Sequence, residues 1–291
     1  MCIEKKNVIL FGTILTLLAG CQGQPTDHPP RSTQPWSEDG AAFWEQWPQS
    51  GQLFGPPSLD IPLESDQLEE DQDDPPAKSQ DGRYVYLTFD DGPTRNTASL
   101  LDILQEHQVP ATFFVIGHSI LNRPDSQLLL NRALEEGHAI GLHSMTHDFQ
   151  QLYQGAESYR VFYGEMREVQ ELVYQLTGYR SSICRPPFGS FPGFSQDHVD
   201  KIVGSDFRCW DWNIDTRDWQ HRSVEAVMAE IQDNLAQIQE GEHLVILLHE
   251  GQVALDSLPD IIQFFQERDY SFLPFHPANF FPLNFLKNPD L

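Results

Sequence analysis

From about residue 82 onward, short apolar runs alternate with segments in which apolar residues recur every three or four positions. Apolar runs rich in β-branched and aromatic residues predict buried strands, whereas the longer period predicts amphipathic helices. The predicted strands are 84–89, 111–116, 139–142, 182–185, 207–213, 243–248 and 270–273. The predicted helices are 97–107, 126–136, 158–176, 223–239 and 258–267. The apolar positions of helix 158–176 are Val161, Phe162, Met166, Val169 and Val173.

The alternation of strands and helices predicts parallel strands joined by crossover helices. About seven such units in about 200 residues favour an α/β fold, a distorted (β/α) barrel of about seven parallel strands. An open doubly wound sheet is the competing architecture. In both architectures ligands bind at the carboxyl ends of the strands, so the residues just after each strand are the candidates for chemistry.

The beginning of the chain has the pattern of an export signal. Lys5 and Lys6 precede an apolar run at 8–18, which is shorter than the ~20 residues of a membrane-spanning helix. The run ends in 18–21 (LAGC), which resembles a bacterial lipobox. We therefore expect a signal peptide at 1–20, a lipid on Cys21, and an extracytoplasmic protein anchored by that lipid to a bacterial membrane. A plain secretory signal with an incidental Cys21 is the alternative.

Residues 21–80 are predicted to form an acidic, proline-containing tether, and 81–291 a single folded domain. Residues 22–80 contain ten of the 21 prolines, and twelve acidic residues against only two basic ones, Arg31 and Lys78. A segment of this composition buries too little apolar surface to offset the entropy cost of ordering. The net charge of −25 excludes a nucleic-acid partner, because the phosphate backbone would be repelled. Nothing in the sequence predicts a protein partner.

Two cysteines lie in the predicted domain, Cys184 and Cys209. Outside the cytoplasm they could form a disulfide, or they could be two small buried apolar residues. Spacing does not separate these alternatives. No CxxC pair is present, so the cysteines do not indicate a zinc site.

Asp90 and Asp91 follow the first predicted strand, and His143 and His147 follow the third. Two adjacent carboxylates repel each other unless a cation or a base role uses them. Histidines four apart lie on one face of a helical turn, where both can bind one metal ion. Two imidazoles and one carboxylate leave coordination positions open, as in catalytic zinc sites. For the aspartates alone, a simple surface turn is the alternative.

Three further strands also end in polar residues. Arg185 can pin a carboxylate with a two-pronged hydrogen bond. Asp218 and Trp219 follow the strand around 209–214, and His249 follows strand 243–248. A histidine in that position suits proton transfer near neutral pH.

These segments, in this order, resemble the five motifs of the NodB-homology polysaccharide deacetylases, carbohydrate esterase family four. They are 88–93 (TFDDGP), 143–147 (HSMTH), 185–189 (RPPFG), 215–219 (DTRDW) and 247–249 (LLH). The resemblance spans about residues 82–275 and implies a distorted barrel with seven strands. The third motif often has tyrosine where this chain has Phe188, a mild departure, because a backbone N–H at that position does not need the hydroxyl. The flanking residues Cys184 and 190–192 (SFP) are less usual and bear on the specificity of the substrate groove, not on the chemistry.

The resemblance implies a metal site of Asp91, His143 and His147. Zn²⁺ is the expected ion, and another divalent transition metal is the alternative. It also implies that Asp90 is the general base that activates a water and that His249 protonates the leaving amine.

For the surrounding residues the resemblance implies supporting roles. Arg185 would orient Asp90, and Asp218 would orient His249. The backbone N–H of Phe188 would hold the oxyanion, and Trp219 and Leu247 would wall a slot for the acetyl methyl group.

The function so implied is metal-dependent removal of N-acetyl groups from N-acetylglucosamine residues of a cell-surface polysaccharide, with peptidoglycan favoured and acetate released. Hydrolysis of O-acetyl esters on a polysaccharide such as xylan is the alternative within the same chemistry. A second alternative is a catalytically inactive carbohydrate-binding module. Such a protein should have lost a metal ligand or the base, whereas this chain has all of these residues. The dipeptide His147-Asp148 also marks a family of metal-dependent phosphohydrolases, but those are all-helical.

Overall fold

The computed structural model describes residues 82–239 and 241–291. The predicted signal peptide at 1–20, the lipidated Cys21 and the tether at 21–80 lie outside the described residues. No helix in the described part of the chain combines the length and the apolar character needed to cross a membrane.

Eight parallel strands form one sheet within the described residues. They are β1 (Arg83–Gly92), β2 (Thr112–Val115), β3 (Ala139–Leu142), β4 (Ile183–Cys184), β5 (Arg208–Cys209), β6 (Ile214–Asp215), β7 (Leu244–His249) and β8 (Tyr270–Phe272). Seven of them run in the order β5-β4-β3-β2-β1-β7-β6, and β8 pairs with the beginning of β1.

Helices connect the strands as crossover segments. They are α1 (Thr97–His107), α2 (Gly117–Leu121), α3 (Ser126–Glu135), α4 (Phe149–Tyr153), α5 (Ser158–Thr177), α6 (Gln196–Val203), α7 (Val224–Leu235) and α8 (Gln252–Gln266), with a 3₁₀ turn at Pro277–Asn279. The predicted α/β class is confirmed.

The strand order requires the sheet to curl. β5 and β6 lie at opposite ends of the order, yet only four residues separate them in the chain. A flat sheet of seven strands would hold its outer strands about 29 Å apart. Five residue steps span at most about 18 Å. The sheet therefore bends until its two ends approach each other, and the predicted distorted barrel, rather than an open doubly wound sheet, is confirmed.

Alternation along each strand divides the core in two. Val85, Leu87 and Phe89 pack in the large cluster that includes the helices. Tyr84 and Tyr86 belong instead to a second cluster drawn mainly from the strands, with no residue from a helix. Its buried members are Tyr84, Tyr86, Phe114, Ala139, Ile183, Trp210, Val245, Leu273 and Phe275. We call this second cluster the barrel interior.

Two element boundaries differ from the sequence prediction. The predicted strand 207–213 is two short strands, because the chain leaves β4 after Trp210 and joins β7 at Asn213, whose N–H donates to Val245 O at 3.1 Å. The predicted helix 258–267 begins six residues earlier, at Gln252, and contains Pro259. A proline removes one helical hydrogen bond, and the buried face of α8 keeps the helix intact.

Side-chain burial corrects one predicted core position of helix α5 and decides between the two alternatives for the cysteines. Val161, predicted as an apolar position facing the core, is 39% exposed, whereas Glu165 of the same helix is buried. Cys184 and Cys209 face each other across β4 and β5 as free, buried thiols. They therefore behave as the small buried residues of the second alternative.

Gly141 in β3 creates space for an aromatic ring in the barrel interior. It pairs in register with Phe114 of β2, and a Cβ atom at residue 141 would lie 2.4 Å from two ring carbons of Phe114. The guanidinium carbon of Arg185 lies 4.1 Å from the centre of the same ring. The glycine therefore permits the stacking that positions Arg185.

We expect Gly141→Ala to lower the free energy of unfolding by about 1–3 kcal/mol, because the Phe114 ring must move within a packed interior. Gly164→Ala is the matched control, since a Cβ atom there meets nothing within 4 Å and the residue lies inside α5. That substitution should stabilise the protein by about 0.5–1 kcal/mol. Urea unfolding of the two variants measures both effects, and equal stability would contradict the packing argument.

Candidate active site

The predicted site residues converge at the carboxyl ends of the strands. Four of them come at the ends of strands. Each is spaced by an even number of residues from side chains of the same strand that face the barrel interior. Asp90 follows Tyr84 and Tyr86 at even positions, and His249 follows Val245 at odd positions. His143 and Arg185 are likewise spaced by even intervals from interior residues of β3 and β4. Since strand side chains alternate, all four point to the same enclosed end of the barrel.

Asp91 reaches the same place through an irregular backbone. By alternation its side chain would point away from that of Asp90. Its φ is +71°, and the register of β1 against β2 shifts between Phe89 and Gly92. This left-handed residue turns the second carboxylate back toward the site. Asp90 Oδ2 and Asp91 Oδ1 lie 3.6 and 3.5 Å from the same atom, His143 Nε2.

Asp91, His143 and His147 form a triangle of potential metal ligands. Asp91 Oδ1 lies 3.5 Å from each histidine Nε2, and the three ligand atoms lie within 4.8 Å of one another. Ligands at about 2.0–2.1 Å from a tetrahedral ion are separated by about 3.4 Å. Asp91 Oδ1 is buried and has no hydrogen-bond partner. An unpartnered oxygen between two imidazole nitrogens fits a divalent metal ion.

The tautomer of His143 suits a ligand. Its Nδ1 lies 2.8 Å from Arg185 O, and a carbonyl can only accept, so Nδ1 bears the proton. Nε2 therefore presents its lone pair to the site. Burial lowers the pKa of His143 to about 3, although the Asp91 charge opposes the shift. The ring is neutral at neutral pH, the form that binds metal.

The prediction that His143 and His147 lie on a helical turn is wrong. Residues 143–148 form a loop, in which Ser144 and His147 have φ of +65° and +56°. Glu165 holds this loop from α5. Its carboxylate accepts from Met145 N and Thr146 N, each at 3.0 Å. The two imidazoles meet because the loop folds back, with ring centres 5.1 Å apart.

Arg185 is fully buried and donates to several groups around Asp90. Its Nη1 donates to Asp90 Oδ1 at 2.8 Å and to Thr88 Oγ1 at 2.7 Å. Nε and Nη2 donate to the carbonyl oxygens of Trp210 and Asp211. Burial raises the pKa of Asp90 above its ordinary value, and the Arg185 charge opposes that rise. A carboxylate with a raised pKa is a stronger base than an exposed one.

His249 ends β7 beside Asp90 of β1 and is held by Asp218. His249 Nδ1 lies 2.8 Å from Asp218 Oδ1, and His249 N donates to Asp218 Oδ2 at 2.9 Å. Burial alone would lower the pKa of His249. The hydrogen bond and charge of Asp218, together with the charges of Asp90 and Asp91, raise it to about 9. The imidazolium form therefore persists at neutral pH, with its Nε2–H available as an acid.

The three remaining predicted residues differ in how closely they join this group. The ring of Phe188 contacts that of His147, with centres 4.6 Å apart, and its φ is +67°. Leu247 is buried in β7, two residues before His249. Trp219 is 64% exposed, and within the described residues no ring contact or hydrogen bond connects it to another site residue.

Three buried carboxylates that support the site were not predicted. Glu165 holds the histidine loop, and Asp211 accepts from Ser190 N at 2.9 Å and Phe285 N at 2.8 Å. Glu250 accepts from Thr94 N at 2.9 Å and from the Thr97 hydroxyl. For Glu165 the signal was available: an acidic residue lies on the apolar face of a predicted helix, between Phe162 and Val169.

Comparison with known proteins places this arrangement in a family. Residues 77–203 match the family model described as polysaccharide deacetylase. A peptidoglycan-N-acetylglucosamine deacetylase of Bacillus cereus is 38% identical over 206 residues, which cover 70% of this chain and 73% of that protein. A chitooligosaccharide deacetylase of Rhizobium leguminosarum bv. trifolii is 32% identical over 59% of this chain and 73% of its own length.

A solved structure agrees with the fold. The crystal structure of the polysaccharide deacetylase Bc1974 from Bacillus cereus superposes with a TM-score of 0.64 at 37% sequence identity. The match covers 72% of this chain and all of that one.

We expect Asp218→Asn to lower the pKa of His249, because the neutral amide removes the hydrogen-bonded charge that contributes most to its rise. NMR titration of the His249 ring in metal-free protein should give a pKa of about 9 in the unsubstituted protein and a clearly lower pKa in the variant. Asp256→Asn, an exposed position on α8, is the matched control. An unchanged titration in Asp218→Asn would contradict the assignment.

Proposed function

The chain belongs to the polysaccharide deacetylase family, and we propose that it removes N-acetyl groups from N-acetylglucosamine residues of a cell-surface polysaccharide, most readily peptidoglycan. The observation that carries the proposal is the ligand triangle of Asp91, His143 and His147 beside a candidate base, Asp90, which pairs in register with a candidate acid, His249. Amide hydrolysis needs both, since a water must lose a proton and an amine must gain one.

We propose Zn²⁺ as the resident ion, held by Asp91, His143 and His147. Two imidazoles and a single carboxylate are the ligand types of catalytic zinc sites. When bound, the ion would supply Lewis acidity, polarising the acetamide carbonyl and lowering the pKa of a nearby water.

Asp90 takes the proton of the attacking water in this scheme. Its Oδ1 accepts from Arg185, which leaves Oδ2 directed toward His143 and the ligand triangle. As the water oxygen bonds to the carbonyl carbon, its proton passes to Asp90. Arg185 keeps the carboxylate in this orientation and favours its charged form.

His249 completes the reaction by protonating the leaving nitrogen. Asp218 fixes Nδ1, so the transferable proton is on Nε2. The carbon–nitrogen bond breaks as this proton moves, which yields acetate and a free amine on the sugar. A neutral histidine could not donate here, which explains why a carboxylate that raises its pKa lies behind it.

We assign the remaining residues of the family motifs to contacts with the acetyl group. We assign the backbone N–H of Phe188 to the developing oxyanion, since the left-handed conformation of this residue presents its amide differently from an ordinary turn residue. We assign Trp219 and Leu247 to the slot for the acetyl methyl. For location, we propose a lipid on Cys21, which would hold the domain outside a bacterial membrane close to wall glycan.

We expect metal-stripped protein to release acetate from N-acetylglucosamine oligomers and from peptidoglycan only after Zn²⁺ is restored. His249→Gln should lower kcat by about 10²–10⁴, the usual contribution of a general acid. His107→Gln, at the end of α1, is the matched control and should retain activity.

Acetate measured enzymatically, with free amines counted on the glycan, distinguishes the outcomes. Release from acetylated xylan but from no N-acetylated glycan would replace the amide proposal with ester hydrolysis. No release from any substrate by zinc-loaded protein would leave a glycan-binding role.

A further inference from the structure

A cavity of about 450 Å³ lies beside the proposed metal ligands at the same end of the barrel. Its walls are the loop after β1, the short helix α2 with the residues that flank it, and the loop after β3. The polar side chains that matter for its chemistry are Thr94, Arg95, His118, Asn122, Arg123 and Thr146. The mechanism proposed above uses none of them.

The cavity and the ligand triangle share the same loops. Thr146, in the cavity wall, directly precedes His147. Ser119, also in the wall, donates its hydroxyl to Asp91 O at 3.3 Å. His118 N donates to Met145 O at 3.0 Å, which ties α2 to the histidine loop. A group bound in the cavity would therefore lie next to the reacting centre.

The lining is electropositive in a strongly acidic protein. The chain has 43 acidic residues against 18 Lys and Arg, yet two arginines and no acidic residue line this cavity. Every polar side chain in the wall can donate a hydrogen bond. The lining therefore favours an anion over a cation or an apolar group.

Arg95 is the available charge. Arg123 is already paired with Asp125, through Nε–Oδ1 at 2.8 Å and Nη2–Oδ2 at 2.9 Å. Arg95 is exposed, and it has no ion pair or hydrogen bond to any other described residue. The buried carboxylate of Glu250 accepts, through Oε2, from Thr94 N in the same loop and from the Thr97 hydroxyl at the start of α1.

We propose that this cavity binds a carboxylate of the substrate glycan, on a sugar or peptide next to the N-acetyl group that is removed, with Arg95 as its principal cationic partner. The inference rests on the proposed function and names its preferred substrate class, acidic rather than neutral N-acetylated glycans. A guanidinium matches a planar carboxylate by paired hydrogen bonds. His118 and Asn122 provide further donors.

The test compares two substrates of equal length with zinc-loaded protein. One is a neutral N-acetylglucosamine tetramer, and the other is a peptidoglycan tetrasaccharide whose alternate sugars bear free carboxylates. Arg95→Gln should lower kcat/KM for the acidic substrate about tenfold, the effect of losing one charge-assisted hydrogen bond, through KM. The neutral tetramer should change less than about twofold, and added salt should reduce the preference of the unsubstituted protein.

Arg268→Gln is the matched control for net charge. Arg268 follows α8, which runs away from the site, and its Nη1 donates to Phe264 O at 2.9 Å. This variant should keep the preference for the acidic substrate. A loss of kcat/KM in Arg95→Gln that is equal for both substrates, or no loss for either, would overturn the proposal.

Calorimetric binding of the same two glycans to metal-free protein separates this inference from the proposed function. If no acetate is released from either glycan, the deacetylase proposal fails, yet binding still decides the role of the cavity. Weaker binding of only the acidic glycan to Arg95→Gln supports the carboxylate site. Equal binding of that glycan to both proteins contradicts it.

Discussion

The buried pair of Arg185 and Asp90 is the interaction on which the rest of the site depends. Neither side chain has appreciable exposure, and removing one partner of such a pair costs about 3–5 kcal/mol because the other charge stays buried. Arg185 also donates to the carbonyls of Trp210 and Asp211, so it fixes the corner where the chain passes from β5 to β6. Its own carbonyl accepts from His143 and sets that ring's tautomer. One residue therefore orients the candidate base, a metal ligand and the closing edge of the barrel.

Much of this arrangement follows from sequence pattern. The alternation of strands and helices predicted the parallel sheet, and their positions at strand ends marked Asp90, Arg185 and His249 as candidates, whereas their individual roles came from the family resemblance. The period of two explains why the three side chains meet: each lies an even number of residues after an interior residue of its strand. The residue that ends such a series must face the enclosed end of the barrel, where a polar side chain needs a partner.

The remainder depends on backbone conformations and long-range contacts that the pattern does not encode. Asp91 joins Asp90 only because its φ is positive, and His147 reaches His143 through a folded loop instead of a helical turn. Glu165, which holds that loop from α5, is distant in sequence from the histidines it positions. The strands β5 and β6 have two residues each, too few for a period of two to be recognised. That they are two strands and not one becomes clear only from the pairing of β6 with β7.

In the mechanism we propose, two adjacent carboxylates have different tasks: Arg185 directs Asp90 to act as base, and the left-handed Asp91 binds the metal. Zinc content and acetate release, measured together on Asp90→Asn and Asp91→Asn, distinguish the two tasks. We expect Asp90→Asn to retain one zinc per chain but to lose acetate release, and Asp91→Asn to lose both. Equal loss of zinc in the two variants would contradict the division of roles.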